Sequence, residues 1–126
     1  MISESKANTA CQWNYRGDKF VVATASGKVC IGTYDEALAC WTSKNLSAEK
    51  PHHKSSVLSC AFDPLSGRVV ASSAADNFVY LTTCYIGKVD TSGSGPFASV
   101  DSFGSVLLKF NSDGWPNTVA FAPSAN

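Results

Sequence analysis

Apolar residues in this chain come in short runs separated by turn-forming clusters, and helical periodicity is almost absent. Nine runs contain the β-branched, aromatic and small residues that are typical of strands. They are Thr9–Trp13, Phe20–Ala25, Lys28–Tyr34, Ala39–Thr42, Val57–Phe62, Arg68–Ser73, Phe78–Tyr85, Ser105–Phe110 and Thr118–Phe121. Turn clusters such as Arg16-Gly17-Asp18 and Asp63-Pro64-Leu65-Ser66-Gly67 lie between them. The pattern predicts an all-β fold.

Two of these runs, Phe20–Ala25 and Val57–Phe62, are apolar or small on both faces. A strand with this composition is covered on both sides. Short antiparallel strands that are joined by tight turns and lie between neighbouring sheets form the blades of a propeller. A β-sandwich also uses short strands, but it exposes one polar face of each strand. The pattern favours a propeller of antiparallel four-stranded blades, with the β-sandwich as the alternative.

An internal repeat supports the propeller. The segment Cys11–Ala23 aligns with Cys60–Ala71, so that Trp13 matches Phe62, and a partial third copy begins at Val119. Repeats of this kind are the sequence signature of propellers and other repeat architectures. We therefore predict that Trp13 and Phe62 are both core residues.

The second copy follows the order of residues in a WD repeat. His53 precedes its first strand, Asp76 lies in a tight turn, and the triplet Val79-Tyr80-Leu81 comes next. This resemblance implies that His53 and Asp76 belong to a buried hydrogen-bond relay of His, Ser/Thr, Asp and Trp. Thr82 stands about where the closing Trp is expected, which implies an incomplete relay. The alternative is that His53 is an exposed loop histidine beside His52.

Longer motifs narrow the resemblance. Ser55–Pro64 contains a Ser-x-Val-Leu-Ser strand, Asp76–Asp90 contains Tyr-Ile followed by Val-Asp, and a small-residue insertion leads to Pro96-Phe97. In this order they resemble the WD-repeat subunit, subunit 1, of the actin-related protein 2/3 complex. Upstream Cys11-Gln12-Trp13-Asn14 and downstream Gly114–Phe121 extend the resemblance over nearly the whole chain.

The resemblance implies a partial WD-repeat propeller with about two blades and part of a third. We expect a first blade at residues 7–43, a connection at 44–54, a second blade at 55–110 with an insertion at 86–104, and the start of a third blade at 111–126. A propeller typically needs 4–8 blades to close. Because such a piece leaves sheet faces and strand edges unpaired, we expect the isolated chain to self-associate or to fold poorly.

The resemblance also implies a function without catalysis. It indicates a scaffold subunit in an assembly that nucleates branched actin filaments, with its sister subunits, the actin filament and nucleation-promoting factors as partners. The implied location is the cytoplasm, at the actin cytoskeleton. The competing hypothesis is a generic WD-repeat adaptor in another multiprotein assembly.

Candidate partner-binding residues follow from loop composition and residue type. The insertion is rich in Gly and Ser, which makes such a segment flexible when it is unbound. Trp is enriched among binding hot spots. The candidates are Lys88, Asp90, Phe97 and Asp101 in the insertion, and Trp115 beyond it. The alternatives are a solvated linker for the insertion and packing over the blade edge for Trp115.

Charge and hydropathy exclude several kinds of partner. Ten Lys and Arg balance ten Asp and Glu, so the formal net charge is zero. No basic stripe is present to neutralise a run of phosphates or to hold an anionic membrane. No stretch approaches the roughly 20 apolar residues of a membrane helix, and Met1–Ser5 lacks the features of a signal peptide. We expect no nucleic-acid and no membrane partner.

Cysteines and histidines offer little chemistry. Five cysteines, an odd number with no Cys-x-x-Cys pair, indicate neither a disulfide framework nor a zinc site. We predict that all five are buried, reduced thiols, and that the chain binds no metal and no cofactor. The enzyme hypothesis is a Cys60 nucleophile with His53 as its base. The apolar strand around Cys60 argues against it, and no catalytic residue is predicted.

Overall fold

The computed structural model describes residues 8–46, 53–87, 89–90 and 94–111. All regular secondary structure in these ranges is β-strand, which confirms the all-β prediction. The strands are β1 (Asn8–Trp13), β2 (Lys19–Thr24), β3 (Val29–Asp35), β4 (Cys40–Asn45), β5 (Val57–Phe62), β6 (Val69–Ala74), β7 (Phe78–Cys84) and β8 (Phe103–Asn111). The predicted strand Thr118–Phe121 lies outside the described residues. None of the described residues belongs to a helix that could cross a membrane.

The eight strands form two four-stranded antiparallel sheets. Sheet 1 has the order β1-β2-β3-β4 and sheet 2 has the order β5-β6-β7-β8, so that every strand pairs with its neighbour in sequence. This is the strand order of propeller blades. The first strand of each sheet carries a register shift near its start, between Asn8 and Ala10 in β1 and between Val57 and Ser59 in β5. The two sheets therefore share both their strand order and the position of the register shift in their first strand.

The hydrophobic core lies between the two sheets. Contacts join β5 to both β1 and β2. Sheet 1 contributes Val21, Ala23, Val29 and Ile31 to the core, with Leu46 after β4, and sheet 2 contributes Val57, Cys60, Phe62, Val70 and Cys84. We call the face that each sheet turns to this core its inner face, and the opposite one its outer face. Alternate residues of a strand point to opposite faces, so the core residues fix the direction of their neighbours.

A close backbone contact at Gly27 joins the sheets near their first turns. Gly27 lies in the turn between β2 and β3 with a φ of 91°, a left-handed conformation that favours glycine. Its carbonyl accepts a hydrogen bond of 2.9 Å from the backbone N–H of His53. A Cβ at this position would lie 2.1 Å from the carbonyl oxygen of His53. Glycine is therefore required both by the turn and by the segment that crosses it.

Two predictions about the core are wrong. Phe62 is buried with 6% of its surface exposed, but Trp13 is 53% exposed. Equivalent positions of a repeat point in the same direction, and because Phe62 points at sheet 1, Trp13 points away from sheet 2. The cysteine prediction fails for the same reason at Cys11, which shares the outer face with Trp13, and also at Cys40 on the outermost strand of sheet 1; both are exposed.

Candidate functional site

A buried polar relay lies where the segment after sheet 1 enters sheet 2. His53 has no exposed surface. Its Nδ1 lies 3.2 Å from Oδ2 of Asp76, and its Nε2 lies 2.8 Å from Oγ of Ser72. The structure thus brings together the two residues predicted for the relay, His53 and Asp76, and adds Ser72 as the third member. We call these three residues the His53 relay.

Hydrogen-bond chemistry fixes the proton positions in the relay. An ionised carboxylate can only accept, so Nδ1 of neutral His53 carries the proton and donates to Asp76. The other ring nitrogen then accepts from the hydroxyl of Ser72. The backbone N–H groups of Lys54 and Phe78 also donate to the Asp76 carboxylate, at 3.0 Å each. The bonds made by His53 and Lys54 join β6 and the turn after it to the segment that leads into β5, and the Phe78 bond holds the turn itself against the start of β7.

Aromatic stacking replaces the expected tryptophan. The ring of Tyr80 stacks on His53 with centroids 4.4 Å apart and an angle of 9° between the planes. Tyr80 lies on β7, two residues before Thr82, where the sequence suggested the closing Trp. Residues two apart on a strand share a face, so Tyr80 and Thr82 point in the same direction. The WD pattern could have identified Ser72, four residues before Asp76, but no pattern pointed to Tyr80.

The pKa values of both titratable residues in the relay, His53 and Asp76, are lowered. Burial lowers the pKa of His53 from its ordinary value of 6.5, and the neighbouring Asp76 opposes this without overcoming it. Burial would raise the pKa of Asp76, but the backbone N–H donors of Lys54 and Phe78, together with His53, hold it below 3.8. At neutral pH the relay therefore pairs a neutral imidazole with a carboxylate.

A second buried cluster joins sheet 1 to the insertion after β7. Asp90 and Lys19 have 0% exposed side chains, and Lys19 Nζ lies 2.6 Å from Asp90 Oδ2. Nη2 of Arg16 reaches the other carboxylate oxygen at 2.7 Å. Lys19 also donates to the carbonyl of Cys84 at 2.8 Å, and the N–H of Ile86 donates to Asp90 at 2.8 Å. We call Arg16, Lys19 and Asp90 the Asp90 cluster.

This arrangement changes the interpretation of Asp90. Asp90 was one of the predicted partner-binding residues, but it lies in the interior with 1% of its surface exposed. Two cations and a backbone N–H occupy its carboxylate oxygens. Asp90 therefore holds the insertion against sheet 1 and presents no charge to a partner. Lys19 and Arg16 gave no signal in the sequence, because they are far from Asp90 along the chain.

Arg68 extends this anchoring into the insertion. Its guanidinium donates to the carbonyl of Asp90 at 3.0 Å and to the carbonyl of Val100 at 2.9 Å. It also lies over the ring of Tyr85, 4.9 Å from the centroid. Both described ends of the insertion are thus fixed to the turn between β5 and β6.

Of the four remaining predicted contact residues, two lie in the described part of the insertion and two lie outside the described residues. Phe97 is half-buried and Asp101 is exposed. They follow Gly95, whose backbone packs on Leu65, and the N–H of Ser94 donates to the carbonyl of Leu65 at 3.0 Å. Lys88 and Trp115 lie outside the described residues.

A group of exposed and half-buried aromatic side chains, which no sequence pattern identified, lies on the outer face of sheet 1. Trp13, Phe20 and Trp41 pack edge-to-face or tilted on the outer face of sheet 1, with ring centroids 5.3–5.6 Å apart. Tyr34 adds a fourth ring 5.6 Å from Trp41. Gly32 lies under the Phe20 ring, since a Cβ there would lie 2.2 Å from it. These four aromatics form what we call the aromatic face.

A groove borders the aromatic face at the turn between β3 and β4. It has a volume of about 810 Å³, and Tyr34 and Trp41 line it together with Asp18, Asp35 and Glu36. Asp35 is engaged within its own turn, because Oδ1 accepts from the N–H of Ala37 at 2.9 Å. Among the described residues, no group of three or more His, Cys, Asp or Glu side chains is placed to hold a metal ion.

The Cys60 thiol has the wrong environment for a nucleophile. Burial raises the pKa of Cys60 to about 12, with a smaller contribution from Cys11. A reactive cysteine needs a lowered pKa in an electropositive, partly open site. The ring nitrogens of His53 meanwhile lie against Asp76 and Ser72. Both observations oppose the hypothesis of a Cys60 and His53 catalytic pair.

Comparison with known proteins connects the chain to one kind of subunit. No protein-family model matches it. Actin-related protein 2/3 complex subunits 1A and 1B of Arabidopsis thaliana are each 29% identical to it over 124 residues, which cover 97% of this chain and 32% of the relative. The chain thus spans about a third of the length of these curated relatives.

Proposed function

From its homology to subunit 1 of the actin-related protein 2/3 complex, which confirms the resemblance found in the sequence, we propose that the chain has a scaffold function. It contributes protein–protein contacts to a complex of this kind and has no catalytic role. Through these contacts it takes part in the nucleation of branched actin filaments, at the actin cytoskeleton. The observation that carries the proposal is the alignment along 97% of the chain, which includes both four-stranded sheets.

The internal construction of the sheets supports a scaffold. The His53 relay fixes the entry into sheet 2, and the Asp90 cluster fixes the exit from β7 against sheet 1. Buried, fully paired polar groups tie segments to one geometry, because an unpaired group in the interior is costly. A rigid frame of this kind leaves recognition to its loops and exposed side chains.

The surface of the insertion is the proposed contact region. Arg68 holds the insertion at Asp90 and Val100, so half-buried Phe97 and exposed Asp101 lie on an anchored segment. An anchored loop loses less conformational entropy on binding than a flexible one. We propose that Phe97 and Asp101, with Lys88 and Trp115, contact sister subunits, the filament or nucleation-promoting factors. The proposed blades are residues 7–43 and 55–110.

Affinity capture tests this proposal. The full chain carries a tag in cells that contain the actin-related protein 2/3 complex, and mass spectrometry identifies the captured proteins. We expect enrichment of the two actin-related proteins and of the sister subunits. Phe97→Ser should reduce this enrichment severalfold, whereas Glu36→Gln, an exposed change in the turn between β3 and β4, should leave it unchanged.

Two results would argue against the proposal. Capture of a different multiprotein assembly, with no actin-related protein, would favour the generic WD-repeat adaptor, since one fold serves many functions. If the wild-type chain and Phe97→Ser enrich the complex equally, the proposed binding to the complex stands, but Phe97 is not part of the contact region.

A further inference from the structure

A second groove lies between the two sheets, with β3 and β4 on one side and residues 85–87, which follow β7, on the other. Its volume is about 370 Å³. Ile31 packs in the core and Thr33 lies two residues further along β3, so both point to the inner face of sheet 1. Their partners in the register of β4 are Thr42 and Lys44. We call this space, with these four residues on one wall and residues 85–87 on the other, the inter-sheet groove.

The wall at residues 85–87 is held in place by the Asp90 cluster. The N–H of Ile86 donates to Oδ2 of Asp90 at 2.8 Å, and the N–H of Asp90 donates back to the carbonyl of Ile86 at 2.8 Å. The hydroxyl of Tyr85 lies beside Gly87, 3.4 Å from the place where a Cβ would stand. Because this wall is fixed before a ligand arrives, little conformational entropy is lost on binding.

The polar side chains of the groove can all donate hydrogen bonds. The hydroxyls of Thr33, Thr42 and Tyr85 each carry one donor, and the ammonium of Lys44 carries three donors and a positive charge. Nζ of Lys44 lies over the ring of Phe103, 4.4 Å from its centroid. Within the described ranges, the two threonine hydroxyls make no hydrogen bond to the protein. None of the described lining residues is acidic, so the groove suits a ligand that supplies acceptors and negative charge.

We propose that the inter-sheet groove binds the phosphate group of a phosphorylated serine or threonine side chain of a partner protein. Such a group presents three strong acceptor oxygens and roughly 1.5–2 negative charges at neutral pH, which matches three hydroxyls and one ammonium. A carboxylate presents only two oxygens. The site goes beyond the proposed scaffold function, since it does not depend on which assembly contains the chain.

A phosphodiester of a nucleic acid or a lipid fits the groove less well. Recognition of such polyanionic surfaces relies on many cations that neutralise a run of phosphates. The described lining of the groove contains one cation, Lys44, and the whole chain has zero formal net charge. A single phosphorylated side chain needs no more than this one local site.

Saturation-transfer NMR of the full chain with N-acetyl-O-phosphoserine amide as the probe tests the proposal. The ligand signals are observed, so the measurement serves a monomeric and a self-associated chain alike. We expect saturable binding of the phosphorylated probe and no binding of N-acetylserine amide. The corresponding glutamate amide should bind severalfold more weakly, because its carboxylate leaves donors of the groove without an acceptor.

Two lysine variants locate the site. Lys44→Gln should weaken binding of the phosphorylated probe about tenfold, as the loss of one charge-assisted hydrogen bond does. The matched control is Lys109→Gln, which also changes an exposed lysine on the last strand of its sheet and lies over Phe78, 4.4 Å from the ring centroid. This control should bind as the wild-type chain does. Thr42→Val removes a donor without changing the charge and should weaken binding severalfold.

Several results would overturn the proposal. Equal affinity for the phosphorylated and glutamate probes would remove the preference for phosphate. Equal weakening by Lys44→Gln and Lys109→Gln would indicate a general effect of charge and no site in the groove. Circular dichroism verifies the strand content, and a folded wild-type chain that binds no probe would remove the site altogether. If Lys44→Gln loses its strand signal, Thr33→Val changes the same wall and takes its place.

Discussion

The His53 relay and the Asp90 cluster are two sets of buried polar residues, and they affect the stability of the fold in different ways. The His53 relay contains a histidine whose pKa is lowered by burial and a carboxylate whose pKa is lowered by its donors. The Asp90 cluster contains Lys19, Arg16 and a carboxylate between them. The relay thus couples the stability of the fold to mild acid, whereas the cluster makes stability depend on keeping opposite charges together.

We predict that acid destabilises the chain through His53. In the unfolded chain His53 takes up a proton near its ordinary pKa of 6.5, and in the folded chain it does so only at lower pH. The unfolded state therefore binds more protons between these two values, so the free energy of unfolding falls as the pH drops below about 6.5. Below pH 3.8 the Asp76 carboxylate adds a further loss, because its folded pKa is also lowered.

Urea unfolding followed by fluorescence from pH 8 to pH 4 measures this dependence. His53→Gln should flatten the decline that begins as the pH falls below about 6.5. His52→Gln, at the only other histidine of the chain, should retain it. If His52→Gln flattens the decline and His53→Gln does not, the histidine with the lowered pKa is not His53.

We predict that Asp90→Asn is among the most destabilising conservative changes in the chain. It leaves Lys19 buried without an opposite charge, and breaking a buried ion pair in this way costs about 3–5 kcal/mol. The matched control is Asp101→Asn on the surface, which should change the free energy of unfolding by less than about 0.5 kcal/mol. Chemical denaturation of the two variants compares them, and similar values for both would place Asp90 on the surface after all.

At the scale of elements, the turns determine how the strands meet. Gly17 and Gly27 both have positive φ, 75° and 91°, in the first and second turns of sheet 1. They differ in surroundings: no heavy atom lies within 4 Å of a Cβ built at Gly17, whereas the carbonyl of His53 blocks Gly27. The second turn therefore supports sheet 1 and also the crossing to sheet 2.

We predict unequal costs for alanine at the two glycines. Gly17→Ala meets only the left-handed backbone penalty of roughly 1–2 kcal/mol. Gly27→Ala adds a steric displacement of the His53 backbone, with a further cost of about 1–3 kcal/mol as in overpacked sites. Thermal and urea unfolding of both variants measure the difference. Equal destabilisation would mean that the His53 segment does not pass over this turn.

The strands themselves could be predicted from the sequence, because each is a short apolar run between turn residues. The order within a sheet also followed from the pattern, since short connections pair neighbours in sequence. The direction of single side chains did not follow. Trp13 and Phe62 align in the repeat, yet one faces solvent and the other the core, because a repeat determines which face a residue occupies and not what covers that face.

At the scale of the whole molecule, long-range pairing escaped the sequence analysis. Asp90 looked like a surface residue in a Gly- and Ser-rich insertion, but Lys19 meets it across 71 positions of the chain. Local composition contains no information about such a partner. The His53 relay was easier to predict, because His53 and Asp76 occupy fixed places in a repeat. The stacking partner of His53 was not predicted, since it is Tyr80 and not a tryptophan.

For the whole molecule, our proposal is that the two described sheets serve as part of a scaffold in the actin-related protein 2/3 complex. Homology to subunit 1 supports it along the chain, while the chain spans about a third of that subunit. The His53 relay, the Asp90 cluster and the bonds of Arg68 hold the described segments to one another, which suits the proposed scaffold. Binding to the remaining subunits of that complex is the central claim of the proposal.

Reconstitution tests that claim most directly. The actin-related protein 2/3 complex is assembled from recombinant subunits without subunit 1, the purified chain is added, and size-exclusion chromatography with light scattering measures the mass of the complex. The account predicts that the chain elutes with the complex at one copy per complex, and that Asp90→Asn weakens this by destabilising the fold. Elution of a folded wild-type chain entirely apart from the complex would contradict it.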